Sequence, residues 1–160
     1  MVRKSAGLIM YIYKNSDLKI FLVHPGGPYF KKKDEGSWSI PKGIIEDKED
    51  TLDTAIREFE EETGLKPTGD FFPLGEITMK SGKIIYAWAF EGKEDGEFLF
   101  KSNLFEMEWP PKSGKKVNFP EADKFEFFSI DEAKKKINAA QIPLIDNLIN
   151  HLKTKKTNLL

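Results

Sequence analysis

An α/β or α+β domain is what this sequence predicts, and three observations carry it. A doubly capped amphipathic helix stands at residues 50–63, runs rich in Leu, Ile, Val, Phe and Tyr lie on both sides of it, and two further helical patterns close the chain. The 160 residues fit one domain spanning 1–160, large enough to bury about two-thirds of its unfolded surface. Hydrophobic residues make up 39% and the formal net charge is −1, the profile of a globular protein. The lysines are scattered, so nothing establishes the continuous basic groove that nucleic acid would need. The chain has no Cys, which excludes disulfides, thiol nucleophiles and thiolate metal sites; any metal must be held by oxygen or imidazole.

Residues 5–13 and 18–24 read as an antiparallel strand pair, with Asn15-Ser16-Asp17 as turn chemistry between them. The first of these runs follows Met-Val-Arg-Lys but is too short for a signal peptide and lacks a small-residue cleavage site. No apolar run reaches the length of a membrane span, so the expected location is cytoplasmic. His24 is read as structural. After it, Gly26 and Gly27 open a loop that is not a phosphate-cradling P-loop, since no Gly-Lys-Ser/Thr follows. That loop carries Tyr29-Phe30 and Lys31-Lys32-Lys33. The bland reading is a solvated lysine run; the functional one is a lid in which Tyr29 stacks on a base while Lys32 and Lys33 meet phosphate.

Residues 38–42, Trp-Ser-Ile-Pro-Lys, form a short extended segment leading to Gly43. Asp50 or Thr51 caps the helix that follows, Gly64 supplies its left-handed end and Pro67 prevents continuation. Residues 71–80 and 83–92 read as strands joined by a two-residue Ser81-Gly82 turn, with Tyr86 and Trp88 on one face and Ile85, Ala87 and Ala89 on the other. Residues 91–97 form a polar loop. From 103 to 109 the pattern alternates, so Phe105, Met107 and Trp109 face the core and Glu106 and Glu108 face away, until Pro110-Pro111 ends the run. Residues 112–116 are a basic loop, and Phe119-Pro120-Glu121 precedes a strand over 124–128. Ser129 to Glu132 is a capping box opening a helix through Ala139 or Ala140. Pro143 fits the first turn of a last helix, whose Leu144, Ile145, Leu148, Ile149 and Leu152 dock on the sheet. His151 is expected at the surface, with a frayed tail from Thr154.

The chemistry concentrates in residues 43–65. With Glu58 at zero on a helical wheel of about 100° per residue, Glu62 lies near 40° and Glu61 near 300°, so three carboxylates share a face. Leu52, Ala55, Ile56 and Phe59 form a separate apolar stripe for the sheet. Arg57 is four residues before Glu61 and is expected to pair with it. Between 46 and 62 nine acids face only Lys48 and Arg57, a local charge of −7 that repels itself unless a cation is present. Most charge runs are solvated faces, and three glutamates alone would be read that way.

The full spacing argues otherwise. Gly43, Glu49, Arg57-Glu58-Phe59, Glu61-Glu62 and Gly64-Leu65 stand at the intervals of the Nudix box, which this stretch resembles. Phe59 departs from the aliphatic residue more usual there, yet still serves the apolar stripe. The resemblance implies an α/β/α sandwich with a mixed β-sheet and the metal helix packed on it. It implies Glu58 and Glu62 as metal ligands, Glu61 as a ligand or its neighbour held by Arg57, Glu49 bracing the loop, and the main-chain carbonyl of Lys42 turned to the metal. Arg57, Glu58, Glu61 and Glu62 are the catalytic candidates, with Mg²⁺ as cofactor and Mn²⁺ as substitute. Tyr29, Lys32, Lys33, Lys42 and Trp88 are the candidates for substrate. The general base stays open between a box glutamate and Glu106 or Glu108, with Glu121 a weaker candidate.

The implied reaction is hydrolysis of a phosphoanhydride in a nucleoside diphosphate linked to another group, a pyrophosphohydrolase activity. The run 38–43, ending Pro-Lys-Gly, resembles the entry of dinucleoside polyphosphate hydrolases. Residues 24–27, 31–36 and 108–111 resemble a group regarded as nucleoside triphosphate pyrophosphohydrolases. Capped RNA is a distant third substrate. The reading from a different class is a catalytically silent module that senses a nucleotide or binds a partner, although such modules usually lose box carboxylates and all are present here.

Overall fold

The computed structural model describes residues 3–93 and 98–158. Its centre is strand β1 (Lys4–Lys14), paired antiparallel with β2 (Asp17–Pro25) and parallel with β5 (Ile84–Glu91). With β4 (Phe72–Thr78) and β8 (Ala122–Phe128) the order is β4-β5-β1-β2-β8. One parallel pair among antiparallel ones makes the sheet mixed. Helix α1 (Thr51–Thr63) packs on one face; α2 (Ile130–Lys136) and α3 (Ile142–Asn158) pack on the other.

Strand β1 reads as an unbroken apolar run because both its faces are covered. Leu8 and Met10 enter the α1-side cluster with Phe21, Phe59 and Phe90, while Ile9 and Tyr11 enter the opposite cluster with Leu144, Ile145 and Leu148. Ile85, Ala87 and Ala89 join the α3-side cluster, and Tyr86 and Trp88 pack towards α1, the alternation expected of that strand.

The feature that positions the site is a fork between β1 and β2. They pair only where Tyr11 to Lys14 face Ile20 to Asp17. Beyond that the chain at 39–44 fills the gap: Val23 and Ser39 exchange backbone hydrogen bonds at 2.9 and 3.0 Å, Leu8 N donates to Pro41 O at 3.1 Å, and β3 (Lys42–Ile44) pairs with Ser5 to Gly7. Buried Gln141 ties this insert to the α3 side, accepting from Ile40 N at 3.1 Å and donating to Ser39 Oγ at 3.0 Å.

Several elements differ from expectation. The 79–83 connection is a three-residue loop, Lys80-Ser81-Gly82, closed by Gly82 N donating to Met79 O and Met79 N to Lys83 O, with Gly82 at φ 88°. The alternating 103–109 run does not join the sheet. Its strand β6 (Leu104–Glu108) pairs with β7 (Lys116–Pro120), unforeseen in a stretch so polar, as a separate ribbon, leaving Phe105 and Met107 half-buried. Helix α2 stops at Lys136, because Ile137 turns extended to bridge Trp38 and Asn138 caps a 3₁₀ turn (Ala139–Gln141). The tail is helical to Asn158, and His151 lies flat on Phe72, with ring centroids 3.7 Å apart. The expected 91–97 loop falls partly outside the described residues.

Candidate active site

Asp50 caps α1, its carboxylate accepting from Asp53 N at 2.8 Å, and Gly64 at φ 77° ends it. The loop before it turns on itself, with Glu49 N donating to Glu46 O at 3.0 Å. The Glu49 carboxylate then takes a two-pronged bond from Arg57, Nε at 2.9 Å and Nη2 at 3.0 Å, and a third from Thr54 Oγ1 at 2.6 Å. These bonds, led by that from Arg57, draw the Glu49 carboxyl down to about 2 against its burial. Arg57 is held correspondingly more firmly charged, chiefly by Glu49.

Arg57 also donates through Nη1 to Glu58 at 2.9 Å and through Nη2 to Ile44 O at 3.1 Å. Its contact with Glu61, the partner expected from helical spacing, is the long one at 3.4 Å. Glu49 takes two prongs of the guanidinium, Nε and Nη2, whereas both Glu61 oxygens approach Nη1 alone, which Glu58 already holds more closely. Arg57 thus clamps the loop to the helix first and touches Glu61 second.

Gly43 is required by the seating of Glu58: a Cβ on Gly43 would overlap the Glu58 carboxyl group. Glu58 lies over the β3 backbone, and burial, then the charge of Glu61, raise its pKa while Arg57 opposes. Glu62 is pushed up to about 8, by burial first and then by Glu58 and Glu121, with the charge and backbone of Lys42 opposing. Glu121 is raised by burial and by Glu61. It is fixed from both sides, its N donating to Asn103 O at 2.8 Å and its O accepting from Gly26 N at 3.0 Å.

Glu58, Glu62, Glu121 and Lys42 line one cleft of about 620 Å³, with Phe30 and Phe105 at its apolar side. Among the described residues no three acidic or imidazole side chains stand close enough to hold an ion as they are. The donor set nevertheless fits a hard divalent cation: every acidic group lining the cleft is a carboxylate, and the charges of Glu58, Glu61, Glu62 and Glu121 disfavour one another without a counter-ion. Glu58, Glu61 and Glu62 are the groups that would hold it.

The other candidates divide. Lys42 is half-buried in the cleft. Lys32 and Lys33 are exposed, and Lys33 Nζ lies 5.5 Å over the Phe30 ring. Tyr29 is 59% exposed and stands edge-on to Trp109, so its neighbour Phe30 takes the place in the cleft foreseen for it. Trp88 is not at the cleft; its indole N–H donates to Thr51 Oγ1 at 3.0 Å at the start of α1. Glu106, 3.6 Å from Lys116, and Glu108 are exposed on the ribbon and do not line the cleft, because they alternate with Phe105 and Met107 along β6 and take its exposed face. Glu121, the weaker base candidate, does line it. His24 is fully buried, Nε2 donating to Lys33 O and Nδ1 lying against Asp123, both at 2.6 Å, so it anchors the 26–36 loop.

The model of the NUDIX domain matches residues 2–148. No curated protein matches the chain. Among solved structures, an Ap4A hydrolase of C. elegans in a binary complex is 17% identical, covers 94% of this chain and 98% of its own, and has a TM-score of 0.68. The NUDIX domain of Shewanella oneidensis NrtR complexed with ADP ribose is 14% identical, with 95% and 89% covered and a TM-score of 0.64. A mutT/nudix family protein from Listeria innocua is 17% identical, with 99% and 98% covered and a TM-score of 0.64. At such identities the structures attest the fold; the match over residues 2–148, around a helix whose Glu58 carboxyl group sits over Gly43, shows that the chain belongs to the Nudix hydrolase family.

Proposed function

We propose that the protein is a Mg²⁺-dependent pyrophosphohydrolase that cleaves a phosphoanhydride in a nucleoside diphosphate linked to another group, a dinucleoside polyphosphate or a nucleoside triphosphate. The observation that carries this is the meeting of Glu58, Glu62 and Glu121 with Lys42 in one cleft, Glu58 seated on a glycine that leaves it room. Glu58 and Glu62, with Glu61 beside them, would hold the cation, which would supply neutralisation of phosphate oxygens and a lowered pKa for a water. Lys42 presents its ammonium to phosphate and its backbone to Glu62. Glu121 is the base: it takes the proton of the attacking water while the water oxygen bonds to phosphorus and the bridging P–O bond breaks towards the leaving phosphate. Arg57 and Glu49 position the loop and do not react.

The fold neighbours named for Ap4A or bound to ADP ribose agree with a nucleotide class of substrate. No helix among the described residues is long and apolar enough to cross a membrane. The test is a product-release assay with Mg²⁺ on diadenosine polyphosphates, nucleoside triphosphates and nucleotide sugars, ranked by kcat/KM. Turnover of one of the first two classes, lost on chelation, is expected. Nucleotide binding without turnover of any class would overturn the hydrolytic reading.

A further inference from the structure

Two separate segments bring a phenyl ring to the mouth of the cleft: Phe30 from the loop after β2, 38% exposed, and Phe105 from the β6–β7 ribbon, half-buried. Both are supported from behind or beside. The Phe105 ring leans on Phe119, centroids 6.0 Å apart, and a Cβ at Gly27 would stand only 3.0 Å from Phe105 Cζ, so glycine keeps that ring edge clear. Phe30 carries the Lys33 ammonium over its ring.

The polar character of the same walls is as telling. Among the described residues no Asn, Gln, Ser or Thr side chain lines this cleft. Of the charged groups, Lys42 acts on Glu62 and Glu58, Glu62 and Glu121 act on one another, while the Glu46 side chain is 71% exposed and 3.9 Å from Arg57. The adjoining backbone is also used, Gly26 N donating to Glu121 O and Gly27 O accepting from Phe30 N. A base entering here meets two phenyl rings and finds no amide or hydroxyl side chain to read its edge. Every base offers a π-face, whereas strong discrimination between bases requires buried hydrogen-bonding partners.

We propose that Phe30 and Phe105 hold the nucleobase by stacking alone, so that the protein accepts nucleotides whatever their base and selects on the phosphate chain. This rests on the nucleotide-hydrolase reading above. Binding of ADP, GDP, CDP and UDP by calorimetry with Mg²⁺, alongside hydrolysis of the four corresponding triphosphates, tests it on the full chain. The four affinities are expected within about fivefold of each other, while Phe30→Leu and Phe105→Leu each weaken all four by about tenfold, the weight of one lost stack. Affinity for inorganic pyrophosphate is expected to stay unchanged in both variants. A preference for one base of about 100-fold or more overturns the proposal, because that ratio needs an edge read by hydrogen bonds. So do leucine variants with unchanged nucleotide affinity, or a wild-type protein that binds none of the four. Equal binding without turnover would instead sustain the stacking slot and remove the hydrolase reading.

Discussion

The box segment and the walls around it are built on different length scales. From Gly43 to Gly64 every element of the site is local: Asp50 caps the helix, Glu49 and Arg57 clamp the loop, and Gly43 makes room for Glu58. The walls are assembled from distant chain. Phe30 comes from a loop anchored by His24 to Asp123, and Phe105 and Glu121 come from either side of a ribbon outside the main sheet. The contrast separates a carboxylate helix built within one segment from a base candidate and two rings brought by distant chain, and within those walls Glu121 substitutions should act on kcat and Phe30 or Phe105 substitutions on KM.

Removing the wall carboxylate tests the sharpest claim about the flanks. Glu121→Gln is expected to lower kcat by about 100- to 10,000-fold, the contribution of a general base, with KM little changed. Glu106→Gln, on the exposed side of the ribbon, should leave the rate as it is; the reverse pattern would move the base out of the cleft. Inside the box, Gly43→Ala pushes the Glu58 carboxyl off its seat, and a loss of order 100-fold in kcat with an unchanged circular dichroism spectrum is expected. Glu49→Gln weakens the clamp without touching substrate, so the concentration of Mg²⁺ giving half-maximal rate should rise about 10- to 100-fold. The smallest effect belongs to Trp88→Phe. Losing the bond to Thr51 should cost about 1 kcal/mol in denaturant unfolding and leave KM unchanged, whereas a raised KM would return Trp88 to the binding site.

What was legible in the sequence follows the same division. The helix, its caps, its carboxylate face and the strand alternation at 84–91 depend on residues a few positions apart, and periodicity reads such spacings directly. The partner of Arg57 was half-read, since helical spacing presents Glu61 and is blind to a loop that folds Glu49 back against the helix. Which of Glu106, Glu108 and Glu121 lines the cleft depends on how the ribbon sits against it, and alternation names the two faces of a strand without saying what each meets. Tyr29 and Phe30 are adjacent and chemically alike, so only the path of the loop decides which enters the cleft. Strand β7 hid in a stretch of lysines because an exposed ribbon buries too little to leave an apolar pattern.

The central claim is that the carboxylate face of α1 holds a divalent cation that hydrolysis requires. Titration of Mg²⁺ against the rate of phosphoanhydride hydrolysis, in the wild type and in Glu62→Gln of verified fold, tests it most directly. A saturable Mg²⁺ dependence is expected in the wild type and no measurable turnover in the variant at any Mg²⁺ concentration; equal turnover by the two proteins would show that hydrolysis does not need this carboxylate face.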